Sequence, residues 1–464
     1  MASRPPRLPN RHKADRPAPR HGAVLGVLAA LLAALFMSGA ASAAPMRLTL
    51  AEAVRIAAGE SPAARIAALR SDQAERRVGQ SRGALLPSLT GSASTSNRTF
   101  NLKAQGIPFP SIPGVPRTPD VIGPINNVDA RVRVTQTVLD LPSWQKWRAA
   151  GFGARAGRAD QDAAAEAAAQ AGALAWLRAA RAGALVSARQ QELGLALELL
   201  RLAREQQAAG VSPAIDTTRA STQAAASRGA LLVAENQRDR TRLDLARALG
   251  MDPASAPEPA DSLGDASAAT DVPTEQAAAL ALALSHRADL MGEGARVQRA
   301  RAEKAATSLE RLPRVDAAAD WGLSGQHTSD WQDTRTYALG VTMPLLDGGR
   351  REARVGEQEA LIREGAVRER DLRDQVAADV RAALLDLASG REQRSVAAEQ
   401  LRLAEEEVAQ ASERFTNGVA GNIEVINAQA SLLHAHDTEI DARFTLAAAR
   451  VALSRAAGIA RQLH

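Results

Sequence analysis

The sequence predicts a mainly α protein with a membrane β-barrel contribution, built as a helix–strand–strand–helix unit that occurs twice, with four strands in the chain. Three observations predict it. The first is an internal repeat. One copy runs Leu86-Pro87-Ser88, an alternating stretch, Thr135-Gln136-Thr137-Val138-Leu139-Asp140, a long Ala-rich stretch, then Ala209-Gly210-Val211. The other runs Leu312-Pro313-Arg314, an alternating stretch, Thr342-Met343-Pro344-Leu345-Leu346-Asp347, a second long stretch, then Asn417-Gly418-Val419. Gln136 to Met343 is 207 positions and Gly210 to Gly418 is 208, so the halves keep step from strand to helix end. Such a fixed period means one architecture built twice. The second observation is composition: rich in Ala, Arg, Glu, Gln and Leu, with 3% aromatics, which suits long helices packed through small side chains. The third is four segments that alternate apolar and polar residues.

In chain order, residues 1–43 read as a secretory signal. A basic stretch to Arg20 precedes an apolar run from Ala23 to Phe36, and Ala41-Ser42-Ala43 offers small residues for cleavage before Ala44. Residues 44–250 are the first repeat. Thr49 with Glu52 forms a capping box for a short helix, and Pro62 opens a second helix that runs to about Gly83. Residues 88–96 form a weak strand. Residues 128–134 form a clear one, with Val128, Ala130, Val132 and Val134 on one face and Asp129, Arg131 and Arg133 on the other. Between them, residues 101–127 carry six prolines and are expected as an irregular loop facing the cell exterior. A helix from about Trp144 to Ala208 stops at Gly210, and its partner runs from Pro213 to Leu249.

Residues 251–273, with four prolines, read as a mobile connector. Residues 274–464 are the second repeat. Helices cover about 274–285 and 288–311. Strand 313–325 alternates Val315, Ala317, Ala319, Trp321 and Leu323 against Asp316, Asp320 and Ser324. Strand 334–346 presents Tyr337, Leu339, Val341, Met343 and Leu345 on one face. A helix from about Arg350 to Phe415, roughly 100 Å at 1.5 Å per residue, turns at Asn417-Gly418 into a last helix from about Ile423 to Ala457.

Charge excludes a nucleic-acid partner. Of 57 Lys and Arg, six lie in residues 1–43, as does one of the 52 Asp and Glu; the remainder carries 51 of each. The chain has no Cys, which excludes disulfides and a lipid-modified N-terminal Cys. Each strand is about long enough to cross a membrane within a β-barrel. Trp144, Trp147, Trp321, Trp331 and Tyr337 lie in or beside the strands, and such rings favour the membrane–water boundary. The plainer alternative is an ordinary sandwich core. Four strands cannot close a barrel, and an open edge cannot face lipid, so strands must be pooled between copies: two copies at least, with three supplying twelve.

Several segments resemble the TolC-like outer-membrane efflux protein family over nearly the whole mature length. They are Leu48-Thr49-Leu50-Ala51-Glu52-Ala53-Val54, Leu85-Leu86-Pro87-Ser88-Leu89, Arg287-Ala288-Asp289-Leu290 and Met343-Pro344-Leu345-Leu346-Asp347-Gly348-Gly349-Arg350. Two helix-tip segments join them: Gly210 with Asp216, Thr217 and Ala220, and Gly418 with Glu424, Val425 and Ala428. The resemblance implies a homotrimer whose strands form one 12-stranded barrel in the outer membrane, above a long periplasmic α-helical barrel. It also implies a periplasmic adaptor (a membrane fusion protein) and an inner-membrane pump as partners, in a tripartite efflux or type I secretion system. The first copy departs from the pattern, with Asp140-Leu141-Pro142-Ser143 where the second keeps Asp347-Gly348-Gly349-Arg350. The family often places an acidic pair just past the second tip; here those positions read Glu424 and Asn427.

The candidate gate residues are therefore Gly210, Asp216, Gly418, Glu424 and Asn427. Asp216 and Glu424 each lie six residues beyond a turn glycine, so a symmetric trimer would bring each into a ring of three carboxylates that attracts cations. The competing reading is that both stabilise helix N-termini. No cofactor or enzymatic activity is expected. His434 and His436 are two apart on a helix and point to different faces, which suits no shared metal. The alternative function is a periplasmic coiled-coil adaptor or scaffold, which would carry one hairpin between soluble β-domains and needs no lipid-compatible sheet face.

Overall fold

In a computed structural model, residues 46–104, 106, 113–114, 119–264 and 272–463 are described. The expected cleavage site at Ala41-Ser42-Ala43 and part of the Pro-rich tract lie outside them. The described residues begin with a two-residue strand, β1 (Arg47–Leu48), followed by helices α1 (Leu50–Glu60) and α2 (Pro62–Gly83). The capping box is present: the Glu52 amide donates to Thr49 Oγ1, and the Thr49 amide donates to Glu52 Oε2 at 2.9 Å. Two long strands follow, β2 (Ser88–Asn101) and β3 (Val121–Leu139), then α3 (Leu141–Ala208) and α4 (Ala214–Leu249). The second half repeats the order after a short strand, β4 (Glu258–Pro259): α5 (Gln276–His286), α6 (Ala288–Leu309), β5 (Arg314–Gly325), β6 (Gln332–Thr342), α7 (Arg350–Thr416) and α8 (Asn422–Ala456).

Two stretches are more ordered than the sequence suggests. β3 begins at Val121, seven residues before the clear alternation, so the loop is shorter than 101–127. Pro124 cannot donate to the ladder, and it sits where the β2–β3 pairing skips between Arg98 and Phe100. The expected mobile connector also has structure in its first half. β4 pairs in parallel with β1, and Leu263 is buried. Prolines end helices but tolerate extended backbone at a sheet edge, so this segment lies down as an edge strand.

The helices pack through alanine. One core gathers Leu50, Ala53, Val54 and Ala57 of α1 around Trp176 and Leu177 of α3 and Leu245 and Leu249 of α4. Trp176 is 0% exposed, and its Nε1 donates to Leu48 O at 2.8 Å, which also accepts from the Ala260 amide. This satisfies the indole that burial would otherwise leave unpaired. A second core ties α5 to α7 and α8 through Val380, Leu387 and Leu453. A third joins the far ends of both hairpins, where Leu199 and Ala220 meet Val408, Phe415 and Val425.

Close approach needs glycine. A Cβ at Gly172 of α3 would lie 2.4 Å from Ala57 Cβ and 3.3 Å from Ala53 O of α1, both backbone-rigid neighbours. Gly172→Ala should therefore push α1 off α3 and destabilise the fold by about 1–3 kcal/mol. Denaturant unfolding followed by circular dichroism checks it. An unchanged midpoint would mean that α1 packs elsewhere.

Candidate functional site

The four long strands form one antiparallel sheet in the order β2-β3-β5-β6. The register joins the two halves of the chain: Val132 of β3 faces Trp321 of β5, and Ala319 faces Tyr337 of β6. Directly opposed residues share a face. One face therefore carries Leu89, Val132, Val134, Trp321, Tyr337, Leu339 and Val341. Tyr337 is 80% exposed and Leu339 72%, so none of the described residues covers them. The other face is polar. It carries Ser88, Thr90, Ser92 and Ser94 of β2, Thr334 and Thr336 of β6, and charged residues on the two central strands. Both outer strands, β2 and β6, have one unpaired edge among the described residues.

The sheet hands over to the long helices by two different turns. Asp140 caps α3 directly, accepting the Ser143 amide at 3.1 Å and the Ser143 hydroxyl. In the second repeat, Gly348 and Gly349 take positive φ of 68° and 79°, and Asp347 reaches past them to accept the Arg351 amide at 3.1 Å. The difference in sequence is thus a difference in turn, while each keeps an aspartate on a helix N-terminus.

At the opposite ends of α3 and α7, Gly210 (φ 75°) and Gly418 (φ 72°) reverse the chain, as positive φ favours. Beyond the first turn, Asp216 is 8% exposed; its carboxylate accepts the Ser212 hydroxyl at 2.9 Å and lies 3.7 Å from Arg219. Beyond the second, Glu424 is more open and pairs with Arg414 of α7 at 2.9 Å. Asn427 is exposed one helical turn further on. The two tips are also tied to each other. Asn422 is fully buried and its Nδ2 donates to Asp216 O at 2.8 Å, while Gln206 Nε2 donates to Phe415 O at 3.4 Å. Sequence reasoning missed Asn422, Arg414 and Ser212: the Asn422 bond crosses 206 positions and leaves no local trace, and the Arg414 and Ser212 contacts depend on how each turn folds back on its helix. Among the described residues, no helix is long and apolar enough to cross a membrane, and no group of three metal-ligating side chains gathers.

The family model for outer membrane efflux proteins matches residues 53–251 and 279–459, which is most of the chain and both repeats. The chain belongs to the outer membrane efflux protein family. Solved structures of similar fold include the Campylobacter jejuni CmeC outer membrane channel, at TM-score 0.74 and 17% identity, covering 89% of this chain and 86% of that one. The Vibrio cholerae outer membrane protein VceC matches at 0.71 and 19%, covering 88% and 96%. The Neisseria gonorrhoeae MtrE outer membrane channel, solved in an open state, matches at 0.65 and 18%, covering 88% and 89%. At these identities the likeness establishes the fold. A comparison with curated protein sequences finds no match. The fold has two matched helical hairpins and a sheet with one uncovered apolar face, which does not fit the one-hairpin adaptor alternative.

The Arg287-Ala288-Asp289-Leu290 segment of this efflux protein fixes α6 against α7. Arg287 is buried, donates to Asp289 Oδ2 at 2.6 Å and reaches Asp379 Oδ2 at 2.7 Å. Burial raises the Asp289 pKa, but the Arg287 guanidinium and the Leu290 amide outweigh it, and the net shift is downward. A carboxylate with a lowered folded pKa contributes stability above its unfolded pKa and loses it as pH falls through the folded value. Asp289→Asn should therefore cost about 1–3 kcal/mol at pH 7, a penalty that begins to shrink below about pH 4 and disappears as pH falls through the lower folded value. Thermal unfolding of both proteins in detergent across pH 3–7 checks this. Parallel pH curves would mean that Asp289 is not ionised in the folded state.

Proposed function

We propose that this protein is the outer-membrane exit duct of a tripartite efflux or type I secretion system, passively conducting cargo from a periplasmic adaptor and an inner-membrane pump to the exterior. The observation that carries the reading is the sheet. It has an uncovered apolar face, a polar face and, among the described residues, two unpaired edges, and it continues into two helices each roughly 100 Å long. An apolar face suits lipid and a polar face suits an aqueous lumen, but open edges cannot lie in a bilayer. Three copies would join β6 of one to β2 of the next and close a 12-stranded barrel, with the hairpins forming the periplasmic tunnel below. CmeC and MtrE, which are outer membrane channels, favour the same reading. The chain would act without cofactor or catalysis.

The test is the detergent-corrected mass of the purified particle, which should be three times that of the mature chain. A folded monomer in detergent would overturn the barrel, and a dimer would overturn the twelve-strand closure.

A further inference from the structure

We propose that Asp320 sets the electrostatic character of the lumen at the two central strands, where together with Asp129 it balances the lumen-facing arginines Arg131 and Arg133. This rests on the exit-duct reading, which makes the polar face of the sheet the lumen wall.

That polar face is not uniform. β2 and β6 contribute mostly hydroxyls, with Arg98 at the far end of β2, while most of the charge stands on the two central strands. Three acids and three bases stand there: Asp129, Arg131, Arg133, Arg314, Asp316 and Asp320. Around Asp320 the acids lie low and the bases stand out. The Asp320 side chain is 7% exposed, whereas Arg131 and Arg133 are 28% and 52% exposed. Arg131 Nη1 donates to one Asp320 oxygen at 3.2 Å, and Arg133 Nη2 to the other at 3.4 Å. Arg131 also donates its Nε to Asp129 at 2.6 Å.

The backbone is cut to fit this arrangement. Gly322 pairs directly with Arg131, and a Cβ there would lie 2.5 Å from Arg131 Cβ and 2.6 Å from Ala130 O. Any larger residue at position 322 would displace the arginine that crosses to Asp320. The network spans nearly 190 positions of sequence and is held by the register of the central strands.

Balanced charge on a narrow lumen attracts neither sign, and an unbalanced unit charge there biases small ions. Asp320→Asn removes the hub and leaves Arg133 unpaired, a change of +1 per chain. Arg133→Gln does the reverse, a change of −1, at an exposed position. The two variants should act with opposite sign, and the double variant should return to the starting state.

The chain has no Cys, so an engineered thiol is its only one. Ser92 of β2 lies directly opposite Arg131, and Ser92→Cys samples the local potential. The experiment measures modification of this thiol in proteoliposomes at low salt by two methanethiosulfonate reagents of similar size, one with a sulfonate and one with a trimethylammonium group. With only Ser92→Cys, the two rates should be within about twofold of each other. Adding Asp320→Asn should raise the anionic-to-cationic rate ratio about fivefold, Arg133→Gln should lower it by a similar factor, and 1 M salt should collapse both shifts. A ratio unmoved by both charge variants, while the engineered thiol still reacts, overturns the inference and leaves the duct reading intact. A thiol at position 92 that neither reagent reaches, in protein shown to be folded, overturns the duct reading itself. If Asp320→Asn fails to assemble, Arg133→Gln decides alone.

Discussion

Leu339→Arg should prevent stable insertion into the outer membrane, while Ala338→Arg, one residue away, should be tolerated. Leu339 is 72% exposed on the apolar face of β6, between Tyr337 and Val341. An arginine facing lipid near the bilayer midplane costs about 2–4 kcal/mol, and a closed assembly of three would bear it three times. Folded proteins hold only about 5–15 kcal/mol in reserve, so the sum is enough to unfold the barrel or keep it from forming. Ala338 belongs to the other face, opposite Ala318, where an arginine would enter water. Membrane fractionation and semi-native electrophoresis of both variants make the comparison. Equal loss for both would mean that the sheet does not present one face to lipid. Equal tolerance would mean that β6 is not a membrane strand.

The strands illustrate what a sequence carries and what it withholds. β5 and β6 were legible because Trp321, Tyr337, Leu339 and Val341 alternate with small or polar residues at a period of two. β2 alternates only weakly, because beyond Leu89 the face opposite its serines carries Gly91, Ala93, Thr95 and Asn97 rather than large apolar residues, and β3 loses its period at Gly123-Pro124 although its pairing continues to Val121. The turn glycines Gly210 and Gly418 stand out because positive φ excludes most residues. The environment of Asp216 and Glu424 does not stand out: one carboxylate is turned inward to Ser212 and the other outward to Arg414, and identical spacing from a glycine gave no hint of that difference. The Asp320 network is hidden for a similar reason. Its partners sit at ordinary polar positions of two strands, and only the register between the repeats brings them together.

Glu424→Gln should lower cation preference while leaving the assembly almost as stable as before. This rests on the proposal that the second tip narrows the lumen and that Glu424 contributes one carboxylate per chain to a ring, with Asn427 a turn deeper. Two unit charges 4 Å apart in water interact by about 1 kcal/mol, so the loss of the ring should reduce the cation-to-anion permeability ratio by at least about fivefold. The stability cost is small because the Arg414–Glu424 pair is solvent-exposed on both sides, and such pairs contribute roughly 0–1 kcal/mol. The pair also sets a second expectation. Arg414 partly cancels Glu424, so Arg414→Gln should move selectivity the opposite way, toward cations. Asp216→Asn should behave differently from both, because its carboxylate is buried, holds Ser212 and neighbours Arg219; it should loosen the tip more than it changes selectivity. Reversal potentials in a salt gradient, together with the dissociation temperature of the assembly, separate these outcomes. If Glu424→Gln leaves the reversal potential unchanged and lowers the dissociation temperature, Glu424 serves the start of α8 and the constriction is built from other residues.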